Sequence, residues 1–203
     1  MRDMNRRSFV GAAFAAFPLA ALAQSIKTLT PAVKAALVPH GEDRQGEHHS
    51  IGISSTDFKV TTQDSGGALF LFEHTNHKKG GPPRHLHHNE DEWFYAIDGD
   101  YLLEVGSERF HLKAGDSILA PREVPHAWAF VGDTPGKLLI AFAPANKMEA
   151  FFRENAKHFN GGNYANEAEI YRAYGMELLG PPLPVAGPGF GSSSDVSCHK
   201  CFS

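Results

Sequence analysis

The segment 83–99 constrains the fold of this chain more than any other. It contains His85 and His87, two residues apart, and then Glu92 at the start of an aromatic-rich run. Side chains two residues apart on an extended strand project from the same face, so both imidazoles would point in one direction. A polar run with the composition of a turn follows the histidines, and Asp98-Gly99 marks the next turn. The segment therefore predicts a β-hairpin that aims two imidazoles and one carboxylate at a single point.

A third histidine follows in a separate part of the chain. The run 115–121 leads through Val124-Pro125 to His126, which begins another alternating stretch. Three histidines and one glutamate on strands form a ligand set that suits a divalent transition metal. Ligation needs neutral imidazoles and an ionised carboxylate, so metal affinity should fall as the pH drops toward about 6.5. Four protein ligands would leave coordination positions open, which is typical of a catalytic site.

Neighbouring polar residues compete for roles adjacent to those of the ligands. His88 should project to the face opposite His87, which argues against it as a ligand. Glu90 stands close by, and Asp91 is the residue that a one-residue shift in strand register would select in place of Glu92. The favoured metal ligands are His85, His87, Glu92 and His126.

These segments resemble the two sequence motifs of the cupin superfamily. Positions with the spacing of the first motif are His85, His87, Glu92 and Gly99, and positions with the spacing of the second are Gly115, Pro121 and His126. Gly80 and Gly81 lie slightly too close to the histidines to be the leading glycine of the first motif. Glu123 and Phe130 stand where the second motif has a glycine and an asparagine, and these departures affect loop shape rather than ligands.

The resemblance implies an all-β fold, the double-stranded β-helix or jelly-roll barrel. A helical extension that ends in a Gly-Pro-Pro turn also resembles small single-domain bacterial cupins of the quercetin 2,3-dioxygenase-like type. In such proteins the residue that matches Glu92 is both a ligand and the general base that accepts a hydroxyl proton. The metal would be iron, manganese, nickel, cobalt or copper, which this ligand set does not distinguish. A homodimer is common in the family.

The remaining alternating segments support a β-rich domain. Short runs with a period of two recur from Asp57 onward between turns, which is typical of a sandwich or barrel. The net charge of −4 gives no reason to expect a nucleic-acid partner. Histidines outside the metal spacing are interpreted as surface residues: His48-His49 in a solvated loop, His74 and His77 in a solvent-facing loop, and His111 on an outward strand face.

The period becomes helical after the last strand. Met148, Phe151 and Phe152 indicate an amphipathic helix with Asn146 as its N-cap. The segment 166–174 indicates a second helix, with Asn166 as cap and Gly175 at its end. We expect both helices to pack on the outside of the barrel.

The N-terminal segment has the features of an export signal. Arg6-Arg7 precedes an apolar run from Gly11 to Leu22, and Ala21-Leu22-Ala23 matches a cleavage site. The twin arginines resemble a twin-arginine signal, which predicts a periplasmic or extracellular protein with no stable membrane span after processing. An uncleaved anchor is the alternative, but the run is shorter than the roughly 20 residues that a span needs and contains Pro18.

The C-terminal stretch is rich in glycine and serine without a period, which predicts disorder. Cys198 and Cys201 lie near its end as an incidental pair, with a local disulfide left open for an oxidising compartment. The predicted organisation is a signal peptide (1–23), an N-terminal arm (24–54), a cupin barrel (55–144), C-terminal helices (145–180) and a disordered tail (181–203).

The predicted function follows from the ligand set and the resemblance. Phe94, Trp128 and Phe130 share strand parity with Glu92 or His126, so they form either a substrate-pocket wall or ordinary barrel core. We predict a metal-dependent dioxygenase that acts on a small aromatic or enolic hydroxyl substrate and dioxygen. Two alternatives stay open: a non-catalytic cupin that binds a small molecule or metal, and a metal-dependent decarboxylase or isomerase.

Overall fold

The computed structural model describes residues 35–160 and 166–185. These residues form eleven strands and two helices. Within this part of the chain, no helix is long and apolar enough to cross a membrane. The predicted signal peptide and the predicted Cys198 and Cys201 pair lie outside the described residues.

Along the described part of the chain, ten strands are followed by two helices and a final strand. The strands are β1 (His49–Ile51), β2 (Ser54–Val60), β3 (Phe70–Asn76), β4 (Pro83–His87), β5 (Asp91–Asp98), β6 (Tyr101–Val105), β7 (Glu108–Leu112), β8 (Ser117–Ala120), β9 (His126–Phe130), β10 (Gly136–Ala143) and β11 (Met176–Pro182). The helices α1 (Met148–Asn160) and α2 (Glu167–Ala173) lie between β10 and β11.

The strands form two antiparallel sheets. One sheet has the order β1-β2-β3-β10-β5-β8, and the other has the order β11-β4-β9-β6-β7. Neighbours in each sheet are mostly far apart in the chain, as in the central β3-β10-β5 and β4-β9-β6 groups. The two sheets form a jelly roll, so the prediction of an all-β barrel is confirmed.

Alternating aromatic residues build the barrel interior. In β3 every second residue is buried, beginning with Phe70 and Phe72. Phe72 lies opposite Phe58 of β2 and Ile140 of β10, so the same face of three strands points inward. Burying one such side chain contributes roughly 1.5–3 kcal/mol of stability. The residues at every second position of these strands thus form rows of side chains, largely aromatic, that point into the barrel.

Two strands extend the sheets beyond the segment predicted as barrel. β1 lies inside the predicted arm and pairs with β2 across a turn at Gly52, whose φ is +58°. β11 follows the helices and pairs with the edge of β4. The sequence did not predict β11 as a strand, because it contains Pro181 and Pro182 and proline is tolerated only at the edge of a sheet.

The two helices follow the barrel as predicted, but their side chains reach its interior. The ring of Phe152 in α1 lies 4.5 Å from that of Phe72 and 6.0 Å from that of Phe142, both on the inward face. The predicted caps differ in detail. Asn166 makes no side-chain capping bond, whereas Gly175, with φ +83°, follows the end of α2 as expected.

Two histidine predictions are wrong. His74 is not in a solvent-facing loop but in β3, where it is 6 % exposed, because the strand alternation continues through Asn76. His49 is not solvated either, since its ring stacks on Phe58 at 4.4 Å. His48 and His111 are exposed, with side chains 63 % and 50 % accessible.

Candidate metal centre and cavity

Three strands bring four buried donor groups together. β4 carries His85 and His87, β5 carries Glu92 and β9 carries His126. His85 pairs directly opposite His126 where β4 meets β9. The donor atoms of all four side chains lie within 4.8 Å of one another, and every one of the four residues is buried. We call these four residues the ligand cluster.

Glu92 lies at the middle of the ligand cluster. Its Oε2 is 2.9 Å from Nε2 of His126, 3.2 Å from Nε2 of His87 and 4.0 Å from Nε2 of His85. Donors that share one ion at roughly 2.1 Å are separated by about 3–4 Å, so this spread suits a single metal ion.

The other ring nitrogen of each histidine is fixed by a hydrogen bond. His85 Nδ1 donates to the carbonyl of Pro83 at 2.7 Å, and His126 Nδ1 donates to the carbonyl of Val124 at 3.0 Å. A carbonyl only accepts, so the proton of each neutral ring resides on Nδ1 and the Nε2 lone pair is free. Such outer partners fix the tautomer of metal-binding histidines. The donor set therefore fits a divalent transition metal.

Glu90 orients His87, a role that the sequence did not predict. This carboxylate is 1 % exposed, and its Oε1 accepts a hydrogen bond from Nδ1 of His87 at 3.0 Å. Asn146, which was predicted as a helix cap, instead donates from Nδ2 to Glu90 Oε2 at 3.0 Å. The sequence signal for Glu90 was weak, because the residue lies in a turn where strand parity does not apply.

Burial and the neighbouring charges shift the pKa values of the cluster residues. Burial, with His126 and His87 nearby, lowers the pKa of His85 to about 3. Burial works against ionised Glu92, but the rings of His126 and His87 beside it hold its pKa below the usual range. Burial would likewise lower the pKa of His87, yet hydrogen bonds to Glu90 and Glu92 outweigh it and raise this pKa.

The competing residues point away from the cluster. His88 is exposed and its Nδ1 lies 3.1 Å from both carboxylate oxygens of Glu123. Asp91 faces outward, where Arg122 holds it at 2.9 Å and 3.0 Å and lowers its pKa to about 2. The strand register therefore selects Glu92 as the inward carboxylate.

Glu123 occupies the left-handed backbone region that the missing glycine of the second motif would favour. Its φ is +62°, a value that residues other than glycine rarely adopt. Its backbone N–H donates to the carbonyl of His87 at 2.7 Å. The loop thus keeps the glycine-like backbone with a different side chain, and it still delivers His126 to the cluster.

The ligand cluster opens onto a cavity of about 570 Å³. Most lining residues are apolar, and they come from both sheets and from the helices. Trp128 lines this cavity as one of the predicted wall residues. Phe94 and Phe130, the other two, are fully buried core residues instead, and Phe130 packs so closely that a Cβ at Gly136 would lie 2.5 Å from its ring.

The helices close the cavity beside the cluster, which the sequence did not predict. The ring of Tyr171 in α2 lies 5.5 Å from that of His85. Phe151 of α1 lies 5.7 Å from Tyr171 and lines the same cavity. Strand parity could not find these residues, because they reach the cluster from a later segment.

Part of the chain is similar to known proteins. Residues 72–142 match the family described as "Cupin domain". A protein of Methanocaldococcus jannaschii described as uncharacterized is 33 % identical over 65 residues, which cover 32 % of this chain and 52 % of that protein. The 3-hydroxyanthranilate 3,4-dioxygenase 2 of Aspergillus fumigatus is 35 % identical over 65 residues, which cover 30 % of this chain and 35 % of the enzyme. The chain thus spans about half of the first relative and about a third of the second.

Among solved structures, an RmlC-like cupin from Shewanella frigidimarina superposes with a TM-score of 0.43 at 22 % identity. The match covers 57 % of this chain and 96 % of that chain.

Proposed function

Since the chain belongs to the cupin superfamily, we propose that it is a metal-dependent dioxygenase that acts on a small aromatic or enolic hydroxyl substrate. The observation that carries the proposal is the buried cluster of three histidines and one glutamate beside a largely apolar cavity. The relative that is named as a 3-hydroxyanthranilate dioxygenase supports the same reaction class over the part that aligns.

The four cluster residues would hold one divalent transition metal, which is iron, manganese, nickel, cobalt or copper. Such an ion, when bound, would acidify a coordinating hydroxyl and supply one-electron chemistry with dioxygen. A dioxygenase places both oxygen atoms in the product, so the chain needs no reductant site.

The residues of the chain supply orientation, water exclusion and a base. The Nδ1 hydrogen bonds keep the Nε2 atoms of His85 and His126 directed at one point. Trp128 and Phe142 provide apolar walls, which suit a planar ring and exclude water. Glu92 is ionised and reaches the same point, so its Oε2 can accept the proton of the substrate hydroxyl.

The test is dioxygen consumption by the metal-loaded protein. Elemental analysis of protein purified without added metal identifies the ion, and an oxygen electrode then measures turnover with simple catechols and enols. Glu92→Gln should retain some metal and lose turnover, whereas Glu108→Gln, at an exposed position of β7, should retain both. Equal turnover in Glu92→Gln would contradict the base role. Ligand binding without dioxygen uptake would favour a binding cupin, and product formation without uptake a decarboxylase or isomerase.

We also propose export through a twin-arginine signal, on the strength of Arg6-Arg7 and the cleavage pattern at Ala21-Leu22-Ala23. N-terminal sequencing of periplasmic protein should give Gln24 as the first residue, and an intact N-terminus on membrane-bound protein would contradict cleavage. The homodimer stays a prediction.

A further inference from the structure

His74 is a buried polar residue that the proposed chemistry does not use. It lies on the inward face of β3, is 6 % exposed and lines the same cavity as the ligand cluster. Neither ring nitrogen has a hydrogen-bond partner among the described residues. Buried polar groups without partners are rare in folded proteins, because burial removes their bonds to water and nothing replaces them.

The position of His74 relates it to the cluster. Its ring lies 5.1 Å from that of Trp128, edge to face, on the opposite sheet. Trp128 is two residues from His126 along β9, a step of roughly 6.6 Å on the same face. His74 therefore lies beside the residue that follows His126 on the inward face of β9, and on its own sheet it is level with Ala96, two inward positions from Glu92. A ligand about the size of one substituted ring spans that separation.

The surroundings determine what His74 can bind. Burial lowers its pKa to about 4, so the ring is neutral at neutral pH, with one N–H donor and one acceptor. Among the described residues that line the cavity there is no arginine or lysine, while Glu92 and Glu167 are acidic. A carboxylate at the His74 end, away from the ligand cluster, would have no cationic side chain to pair with, and the cavity already contains two acidic ones.

We propose that His74 binds an uncharged oxygen, a hydroxyl or a carbonyl, on the end of the substrate that points away from the ligand cluster. This inference rests on the proposed function and narrows its substrate class. The substrate is then a hydroxylated aromatic or enolic molecule with a second, neutral oxygen substituent, and not a hydroxy acid whose carboxylate lies at His74.

Two catechols that differ in one oxygen test the inference. The probes are 4-ethylcatechol and 3,4-dihydroxyacetophenone, titrated calorimetrically into the zinc-loaded protein, because zinc has no redox chemistry and leaves binding alone to be measured. The ratio of the two affinities in the unaltered protein is compared with the ratio in His74→Phe. Comparing ratios cancels the effect of the carbonyl on the acidity of the catechol.

The expected result is a loss of about tenfold in the preference for the ketone in His74→Phe, the magnitude of one hydrogen bond to a buried polar group. Ile140→Val, which changes another cavity residue without a polar group, should leave the ratio unchanged. The charged analogue 3,4-dihydroxybenzoate should bind the unaltered protein more weakly than the ketone at pH 7. An unchanged ratio in His74→Phe, or preferred binding of the benzoate, overturns the inference.

A second measurement needs no variant. In ¹⁵N-labelled, zinc-loaded protein, the ring nitrogens of His74 should shift with the ketone and not with the ethyl compound. Equal shifts with both probes would overturn the inference even where His74→Phe fails to fold. Since neither readout needs turnover, an altered ratio without dioxygen uptake would contradict the dioxygenase alone. Dioxygen uptake with an unchanged ratio would contradict the role of His74 alone.

Discussion

The stability of the protein in acid should depend strongly on His74. An ordinary histidine has a pKa of 6.5, and burial lowers that of His74 to about 4. Above pH 6.5 the ring is neutral in both the folded and the unfolded chain, so it makes no pH-dependent contribution there. As the pH falls below 6.5, His74 takes up a proton in the unfolded chain, whereas in the folded chain it stays neutral until about pH 4. Stability is therefore lost across this window as the pH falls.

The magnitude follows from the width of the window. The pKa falls from 6.5 to about 4, and at about 1.36 kcal/mol for each pH unit this corresponds to roughly 3 kcal/mol. His74→Phe removes the titration and the unpaired nitrogens together. The variant should be about 1–2 kcal/mol more stable at pH 7.5, because its ring has no polar atoms to desolvate. That difference should grow by roughly 3 kcal/mol toward pH 4.

Urea unfolding of metal-free protein at a series of pH values measures both quantities. Chelator is present throughout, so that release of metal in acid does not contribute. Ile140→Val, an apolar neighbour, should shift the whole stability curve without changing its slope. The reasoning is refuted by parallel curves for His74→Phe and the unaltered protein between pH 6.5 and 4, because an uncharged buried ring could not then be present in the folded state.

Three further changes test other parts of the structure. Glu90→Gln should weaken metal binding about 10- to 100-fold by loosening the orientation of His87, as measured by competition with a chelator, and unchanged affinity would contradict that role. Glu123→Gly should leave metal content intact and change stability by less than about 1 kcal/mol in urea, because relief at φ +62° offsets the added freedom of the unfolded chain. Phe152→Ala should lower the unfolding free energy by about 2–3 kcal/mol through lost packing on Phe72, and a thermal midpoint equal to that of the unaltered protein would contradict it.

The strands and the spacing of the candidate ligands could be predicted because they follow from local patterns. A period of two identifies an inward face, and His85, His87 and Glu92 follow that rule over a few residues. Local patterns could not place His126 beside this hairpin, since nothing in the nearby sequence shows that β9 pairs with β4. The resemblance to a known motif supplied that long-range step.

The features that were missed depend on contacts between distant segments. The sequence pattern placed His74 in a solvent-facing loop, whereas β3 continues through Asn76 and carries this residue into the cavity. Phe94 and Phe130 have the parity of pocket residues but lie at levels of the barrel that packing fills completely. Parity says which face a residue is on, and only the packing of the whole barrel says whether that part of the face is open.

The three consecutive acids 90–92, where a turn leads into β5, have three separate roles. Glu90 holds His87, Glu92 faces the ligand cluster and Asp91 pairs with Arg122 on the outer side. Arg122 belongs to the loop that leads to His126, and the next residue of that loop donates its backbone N–H to the carbonyl of His87. The two halves of the cluster are therefore joined on the outside of the barrel as well as at the donors themselves. This outer attachment positions His126 against the hairpin before any ion is bound. Metal binding therefore costs less conformational entropy, because the site is already partly assembled.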